Sequence, residues 1–163
     1  MAIGIDLDEL DISQRRRVLV VEDELDTVFL LKQVLRMAGF NVLSATNGRE
    51  ALLKAAEQEP DLVLLDLMIP EMDGWEILVH LRQMIEKVPI IIVSALGNKE
   101  DVIKGLQAGA DDYISKPFHN TELSERVKAV LRRTNKPREL SRLVFPDIEM
   151  ELDLSMQDRK SVV

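Results

Sequence analysis

Three carboxylates of this 163-residue chain lie just past short apolar runs: Glu22 and Asp23 after Val18–Val21, and Asp66 after Leu62–Leu65. In a parallel sheet whose first and third strands are neighbours, these side chains share one small pocket. Like charges about 4 Å apart repel by roughly 4 kcal/mol at an effective dielectric near 20, so such a cluster calls for a cation. Oxygen-only ligands favour Mg2+, which keeps several waters and bridges to phosphate oxygens. Two more polar groups reach the same rim. Ser94 ends the fourth apolar run, and Lys116 follows the fifth, directly before Pro117. A carboxylate nucleophile, a divalent cation, a lysine and a hydroxyl together suit phosphoryl transfer onto Asp66. In formal charge, three carboxylates, one lysine and Mg2+ balance. A phosphoryl group upsets that balance and draws Ser94 and Lys116 inward.

Singly, each residue has a plainer reading. An acidic pair before a helix is commonly an N-cap, an Asp after a strand a turn residue, and a lysine a solvated charge. Their coincidence at several strand ends is what is specific. His80 and His119 lack metal-ligand spacing and read as surface residues, and Trp75, Met68, Met72 and Met84 read as packing groups.

The elements that must position these groups appear as short apolar runs alternating with helix-length segments. Val18–Val21, Val42–Ala45, Leu62–Leu65, Ile90–Val93 and Tyr113–Ile114 read as five strands, several of them continuous β-branched or leucine runs expected of strands covered on both faces. Leu25–Ala38, Arg49–Gln58, Trp75–Lys87 and Lys99–Ala108 carry helical spacing, and Leu123, Val127, Val130 and Leu131 form the stripe of a fifth helix. Gly39 ends the first helix, Asn47-Gly48 introduces the second and Gly109 closes the fourth. Five such units imply an α/β fold with a parallel sheet and helices on both sides. Right-handed crossovers then put the chemistry at the carboxyl ends of the strands.

The bulk numbers narrow the choice. An apolar fraction of 46% predicts a real core, and a net charge of −8 argues against gripping nucleic acid by general electrostatics. The chain has no cysteine, which removes disulfides and thiolate metal sites and fits a reducing cytoplasm. Its apolar runs are too short to span a bilayer, and Met1–Ser13 lacks the order of a signal peptide, so no membrane role is expected.

Over roughly Arg17 to Arg133 the sequence resembles the receiver domain of bacterial two-component response regulators. The matching segments are Val-Leu-Val-Val-Glu-Asp at 18–23, Asp-Leu-Val-Leu-Leu-Asp-Leu-Met-Ile-Pro-Glu-Met-Asp-Gly at 61–74, Pro-Ile-Ile-Ile-Val-Ser-Ala at 89–95 and Gly-Ala-Asp-Asp-Tyr-Ile-Ser-Lys-Pro-Phe at 109–118. The resemblance implies a flavodoxin-like, doubly wound, five-stranded parallel sheet of order 2-1-3-4-5 with five helices. It makes Asp66 the phosphoacceptor, served by a sensor histidine kinase. It also assigns Glu22, Asp23, Asp66 and the Met68 backbone carbonyl to Mg2+, Ser94 and Lys116 to the phosphoryl group, and a cis bond to Lys116–Pro117. Tyr113 matches the family's aromatic switch: if Ser94 moves toward the phosphoryl group, a neighbouring ring can turn inward.

The Gly-Ala-Asp-Asp-Tyr run and the tail resemble the OmpR/PhoB type of regulator. On that reading residues 1–14 are a flexible extension, 15–134 the receiver domain, 135–142 a linker, and 143–163 the incomplete start of a winged-helix DNA-binding domain, with short strands at Leu143–Phe145, Ile148–Leu152 and Ser161–Val163. The subfamily implies a phosphorylation-dependent homodimer through the fourth helix, fifth strand and fifth helix, with Asp112, Glu122, Arg126, Lys128 and Arg133 as candidate charges. Val102 and Gln107 stand where relatives place charges, which thins the network. DNA is a partner only through the missing effector part.

Three other readings compete. A hydrolase with an aspartyl nucleophile needs a second Asp two residues on, where this chain has Met68. A nucleotide binder needs a Gly-rich loop after the first strand, where this chain has Glu22, Asp23, Glu24 and Asp26. A stand-alone receiver acting by protein contact also fits. Met68 and Leu96 flank the entry and are apolar, so they cannot orient an attacking water, and slow loss of the phosphoryl group is expected.

Overall fold

The computed structural model describes residues 15–143. The expected extension over 1–14 and the expected strands beyond 143 lie outside the described residues. The chain runs β1 (Arg17–Val21), α1 (Leu25–Met37), β2 (Asn41–Ala45), α2 (Gly48–Gln58), β3 (Leu62–Leu65), α3 (Gly74–Met84), β4 (Ile90–Ser94), α4 (Lys99–Gln107), β5 (Asp112–Ser115) and α5 (Asn120–Leu143). The five strands pair in parallel in the order β2-β1-β3-β4-β5, as the resemblance implies.

Period-two alternation explains the two layers. Leu19, Val21, Val63, Leu65, Ile90 and Ile92 face one side, where Ala51 and Ala55 of α2 and Ile77, Leu78 and Leu81 of α3 cover them. Val18, Val20, Leu62, Leu64, Ile91 and Val93 face the other, against Leu31 and Leu35 of α1 and Leu123, Val127, Val130 and Leu131 of α5. With both faces covered, β3 and β4 are buried at every position.

The helix boundaries follow local chemistry. The Asn47 side chain accepts from the Glu50 amide at 2.8 Å, and Asn98 does the same for Asp101 at 2.8 Å, each satisfying an orphan N–H at a helix start. Gly39 and Gly109 sit at φ of 95° and 113°, the left-handed turn that ends α1 and α4. Helix α3 stops at Met84, short of the expected Lys87. Just beyond it, Arg82 reaches forward to the carbonyl oxygens of Glu86 and Val88, at 2.9 and 2.8 Å. Its other guanidinium nitrogen donates to the Gly109 carbonyl at 2.7 Å and the Asp111 carboxylate at 3.0 Å, tying α3 to the starts of β4 and β5.

One boundary differs more. Helix α5 continues to Leu143, through the residues expected to be a linker. Pro137 and Asn135 read as breakers, but Arg138, Glu139, Leu140 and Arg142 are sound helix formers that extend an already nucleated helix. Leu143, expected to open a strand, is the last residue of that helix.

Candidate functional site

Strand register builds the site. Val21 ends β1 opposite Ala45 of β2 and Leu65 of β3, and the next residues are held by the ladder itself. The Glu22 amide donates to Ala45 O and the Asp66 amide to Val21 O, both at 3.0 Å, so the two acids leave adjacent strands at one level. Across β4 and β5, Ser94 pairs with Ser115, and the Lys116 amide donates to Ser94 O at 2.9 Å. Four strand ends thus deliver the polar residues to one edge.

There the side chains meet. Lys116 Nζ lies 2.9 Å from Glu22 Oε2 and 3.0 Å from Asp66 Oδ2, while the Met68 amide donates to Asp66 Oδ1 at 2.9 Å. Carboxylate oxygens of Glu22, Asp23 and Asp66 all fall within 4.8 Å of one another. Glu22 is 2% exposed and Asp66 5%, whereas Asp23 faces solvent. The plain reading of the acidic pair fails: the N-cap of α1 is Glu24, whose own side chain makes no capping bond and whose amide donates to Glu22 Oε1 at 3.3 Å.

This crowding splits the acids electrostatically. Burial, with the neighbouring Asp66, pushes Glu22 up to about 7 against the pull of Lys116. For Asp66 burial also works upward, but hydrogen bonds from Glu22, the Met68 amide and Lys116 outweigh it and hold the carboxyl below its usual range. Burial works against the Lys116 charge, yet its bonds to Glu22 and Asp66 lift it above the ordinary lysine value. One lysine therefore does not neutralise the pocket by itself. An all-oxygen donor set with surplus negative charge fits a hard divalent cation.

Ser94 is fully buried, its Oγ accepting from the Leu96 amide at 3.3 Å. Tyr113 is 7% exposed and turned inward, with its hydroxyl donating to the Leu96 carbonyl. Burial and the charge of Asp101 push that hydroxyl above its usual value, with Ser94 pulling the other way. The Lys116–Pro117 bond is cis.

Other expected residues divide. Arg126 pairs with Asp112 at 3.1 Å and Glu122 at 3.4 Å, and Arg133 lies 3.5 Å from the Asp111 carbonyl, so these share one flank of α5 and β5. Lys128 does not join them. It pairs with Glu125 at 3.5 Å and lines a basic pocket with Phe40 and Arg132 on the other flank. Met68 and Met84 are exposed, not packing groups, whereas Met72 and Trp75 do pack against the core. The histidines are exposed, His80 lying 3.8 Å from Glu76. Two contributors escaped the sequence reading: the Met68 amide and Gly74, whose bare Cα lets α3 start against the Leu67 backbone. The Asp-Gly pair at 73–74 was the available signal.

Comparison with known proteins agrees with this geometry. Residues 18–128 match the response regulator receiver domain. The alkaline phosphatase synthesis transcriptional regulatory protein PhoP of Bacillus subtilis is 42% identical over 138 residues, 85% of this chain and 55% of its own length. The transcriptional regulatory protein PrrA of Mycobacterium tuberculosis is 47% identical over 117 residues, 72% of this chain and 50% of its own. The chain thus spans about half the length of these relatives, which are regulators of the OmpR/PhoB type. Among solved structures, a CheY-like receiver domain protein from Methanospirillum hungatei superposes with a TM-score of 0.72 at 31% identity, covering 76% of this chain and 99% of that one. A BeF3-activated DrrB receiver domain gives 0.68 at 30% identity, covering 73% and 99%. With the strand order, the acid cluster and these matches in agreement, the chain belongs to the response regulator receiver domain family of two-component systems.

Proposed function

We propose that Asp66 accepts a phosphoryl group from the phosphohistidine of a sensor histidine kinase, with Mg2+ held by Glu22, Asp23, Asp66 and the Met68 carbonyl. The observation carrying this is a nearly buried Asp66 fixed by Lys116 and the Met68 amide beside two further carboxylates. An Asp66 carboxylate oxygen attacks phosphorus. As the new P–O bond forms, the P–N bond breaks, its electron pair stays on the imidazole nitrogen, and an acyl phosphate results. Bound Mg2+ neutralises charge on the phosphoryl oxygens. Lys116 shifts from the carboxylate pair toward the phosphoryl oxygens, and Ser94 donates its hydroxyl to them. This arrangement favours the inward seat of Tyr113, which the ring already occupies in this structure, so phosphorylation acts by raising the share of that state.

The chain is no enzyme beyond this self-phosphorylation and a slow loss of phosphate, since the acid/base position two residues past Asp66 holds Met68. Output is a homodimer through α4, β5 and α5 in the cytoplasm. Asp112, Glu122, Arg126 and Arg133 line that flank, and the first three are paired within one chain, so dimerisation exchanges existing ion pairs and adds modest affinity. In a full-length regulator a winged-helix domain takes the signal to DNA.

Labelling with acetyl phosphate tests the reading. The wild type should acquire one acid-stable, hydroxylamine-sensitive phosphoryl group only with Mg2+, and Asp66→Asn none. Equal labelling of the two proteins refutes it. A protein that stays monomeric in beryllofluoride and Mg2+ refutes the dimer.

A further inference from the structure

Helix α4 packs on the sheet in an unusual way: its only buried residue is Gly105. A Cβ placed there would lie 2.7 Å from Ile92 Cδ1, 3.0 Å from Tyr113 Cδ2 and 3.2 Å from Tyr113 Cε2. The edge of the Tyr113 ring therefore occupies the space a side chain on α4 would fill. The far end of the ring is held by the Leu96 carbonyl in the loop before α4. Within α4, Lys104 precedes Gly105, and its Nζ sits 4.2 Å from the centroid of the Trp75 ring on α3.

We propose that Gly105 sets the balance of the Tyr113 switch: the missing side chain at this position makes the slot in which the ring seats, so any side chain there shifts the population toward an outward ring. The inference rests on the reading of Tyr113 as a switch and extends it to the residue that decides how easily the inward state forms. The physical reason is steric. A methyl at Gly105 meets Ile92 Cδ1 inside ordinary contact distance, and Ile92 is fully buried with little room to yield. The ring edge must then give way too, and its free direction is outward, toward solvent. Intrinsic propensity acts oppositely, because alanine favours a helix over glycine. A loss of inward ring in the alanine variant is thus a packing effect, not a weakened α4.

The composition of the chain makes this measurable, since it holds one tyrosine and one tryptophan. Alkaline titration of tyrosine absorbance in the 163-residue wild type, Gly105→Ala and Gly105→Val reads the ring directly. The variants should ionise at lower pH than the wild type. Trp75 emission separates a turned ring from a lifted helix: an unchanged spectrum keeps Lys104 and α4 in place. By linkage, a bias against the inward ring weakens whatever favours it. Calorimetric titration with beryllofluoride in Mg2+ should therefore give binding weaker by roughly 5-fold or more in Gly105→Ala, the low end of ordinary coupling. Tyrosine titration and beryllofluoride binding both equal to wild type overturn the proposal, as does a ring that stays buried while Trp75 alone responds.

Two controls make the result decisive. Tyr113→Ala tests the switch reading alone: if it binds beryllofluoride and dimerises as wild type does, that reading fails whatever Gly105 does. If Tyr113→Ala alters the response but Gly105→Ala does not, only the role of Gly105 fails. Should Gly105→Ala not fold, the Ile92→Val/Gly105→Ala pair removes the Cδ1 methyl and leaves the ring as the main clash, and the same readings apply. Loss of fold in the pair as well overturns the proposal, because Gly105 is then a plain packing requirement.

Discussion

Alanine in place of Gly74 is the sharpest test of how the fold positions Asp66. An ideal Cβ at this first residue of α3 falls 2.3 Å from both the Cα and the carbonyl oxygen of Leu67, and 2.6 Å from its carbonyl carbon. All three are backbone atoms, so no rotamer change relieves the overlap. Restoring contact near 3.4 Å requires the start of α3 and the Leu67 backbone to separate by about 1 Å. Overpacking of this kind costs about 1–3 kcal/mol, of which better helix propensity returns at most about 1. The melting temperature should fall by roughly 4 °C per kcal/mol lost. Leu67 lies between Asp66 and Met68, whose amide holds Asp66 Oδ1 at 2.9 Å, so the same movement misplaces the proposed phosphoacceptor. A displacement near 1 Å costs on the order of 100-fold in rate. Thermal melts and initial rates of acetyl phosphate labelling at saturating Mg2+ measure both. Gly97→Ala is the comparator: its new Cβ meets Ser115 Oγ at 2.9 Å, which can rotate away, and Ser115 Cβ at 3.2 Å, which needs only a shift of a few tenths of an ångström, so the change should be much milder. A Gly74→Ala protein with wild-type stability and labelling would falsify the reasoning.

Further outcomes follow from the same geometry. Lys116→Met leaves the nearly buried Glu22 and Asp66 facing each other without a cation, so the Mg2+-free protein should lose about 3 kcal/mol in urea unfolding, and saturating Mg2+ should restore most of it. An equal loss with and without Mg2+ contradicts this. Because Glu22 is raised from 4.5 to about 7, its share of stability is present below its unfolded value and is lost as pH rises through about 7; in EDTA the protein should melt lower at pH 8 than at pH 6, and Mg2+ should flatten the difference. The lowered Asp66 gives the opposite slope, but only in acid, below that window. Leu96→Asn should shorten the acyl phosphate lifetime severalfold by admitting a group that orients water, read as phosphate release from labelled protein; an unchanged lifetime removes the entry argument.

Much of this was legible because it depends on local periodicity. The runs at Val18–Val21, Leu62–Leu65 and Ile90–Val93 are strands, and the stripe Leu123, Val127, Val130 and Leu131 is the buried face of α5. The meeting of Glu22, Asp23, Asp66 and Lys116 follows from strand ends in a parallel sheet. What escaped falls into two kinds. Close approaches belong to the packing of elements: that of Gly105 to Tyr113 follows from no spacing rule, and that of Gly74 to Leu67 had only the Asp73-Gly74 pair as its signal. Lys128 was within reach of the sequence: two positions beyond Arg126 a helix turns by about 200°, which takes Lys128 to the opposite flank. The helical course of 134–143 was hidden by Pro137, since a breaker outranks its neighbours when propensity is read residue by residue.

The way α4 is attached carries a mechanical consequence. Helix α3 is rooted in the core by Ile77, Leu78 and Leu81, each fully buried side chain stabilising it by about 1.5–3 kcal/mol. Helix α4 buries no side chain fully: Val102 packs only in part against the core, and the helix is braced at its two ends, by Tyr113 on Leu96 at one and by Arg82 on Gly109 at the other. A bar resting on two brackets tilts when one bracket moves, and it does so without melting. A tug of an ångström at the loop carrying Ser94 and Leu96 therefore becomes a swing of the whole outer face of α4, Ile103 and Leu106 included.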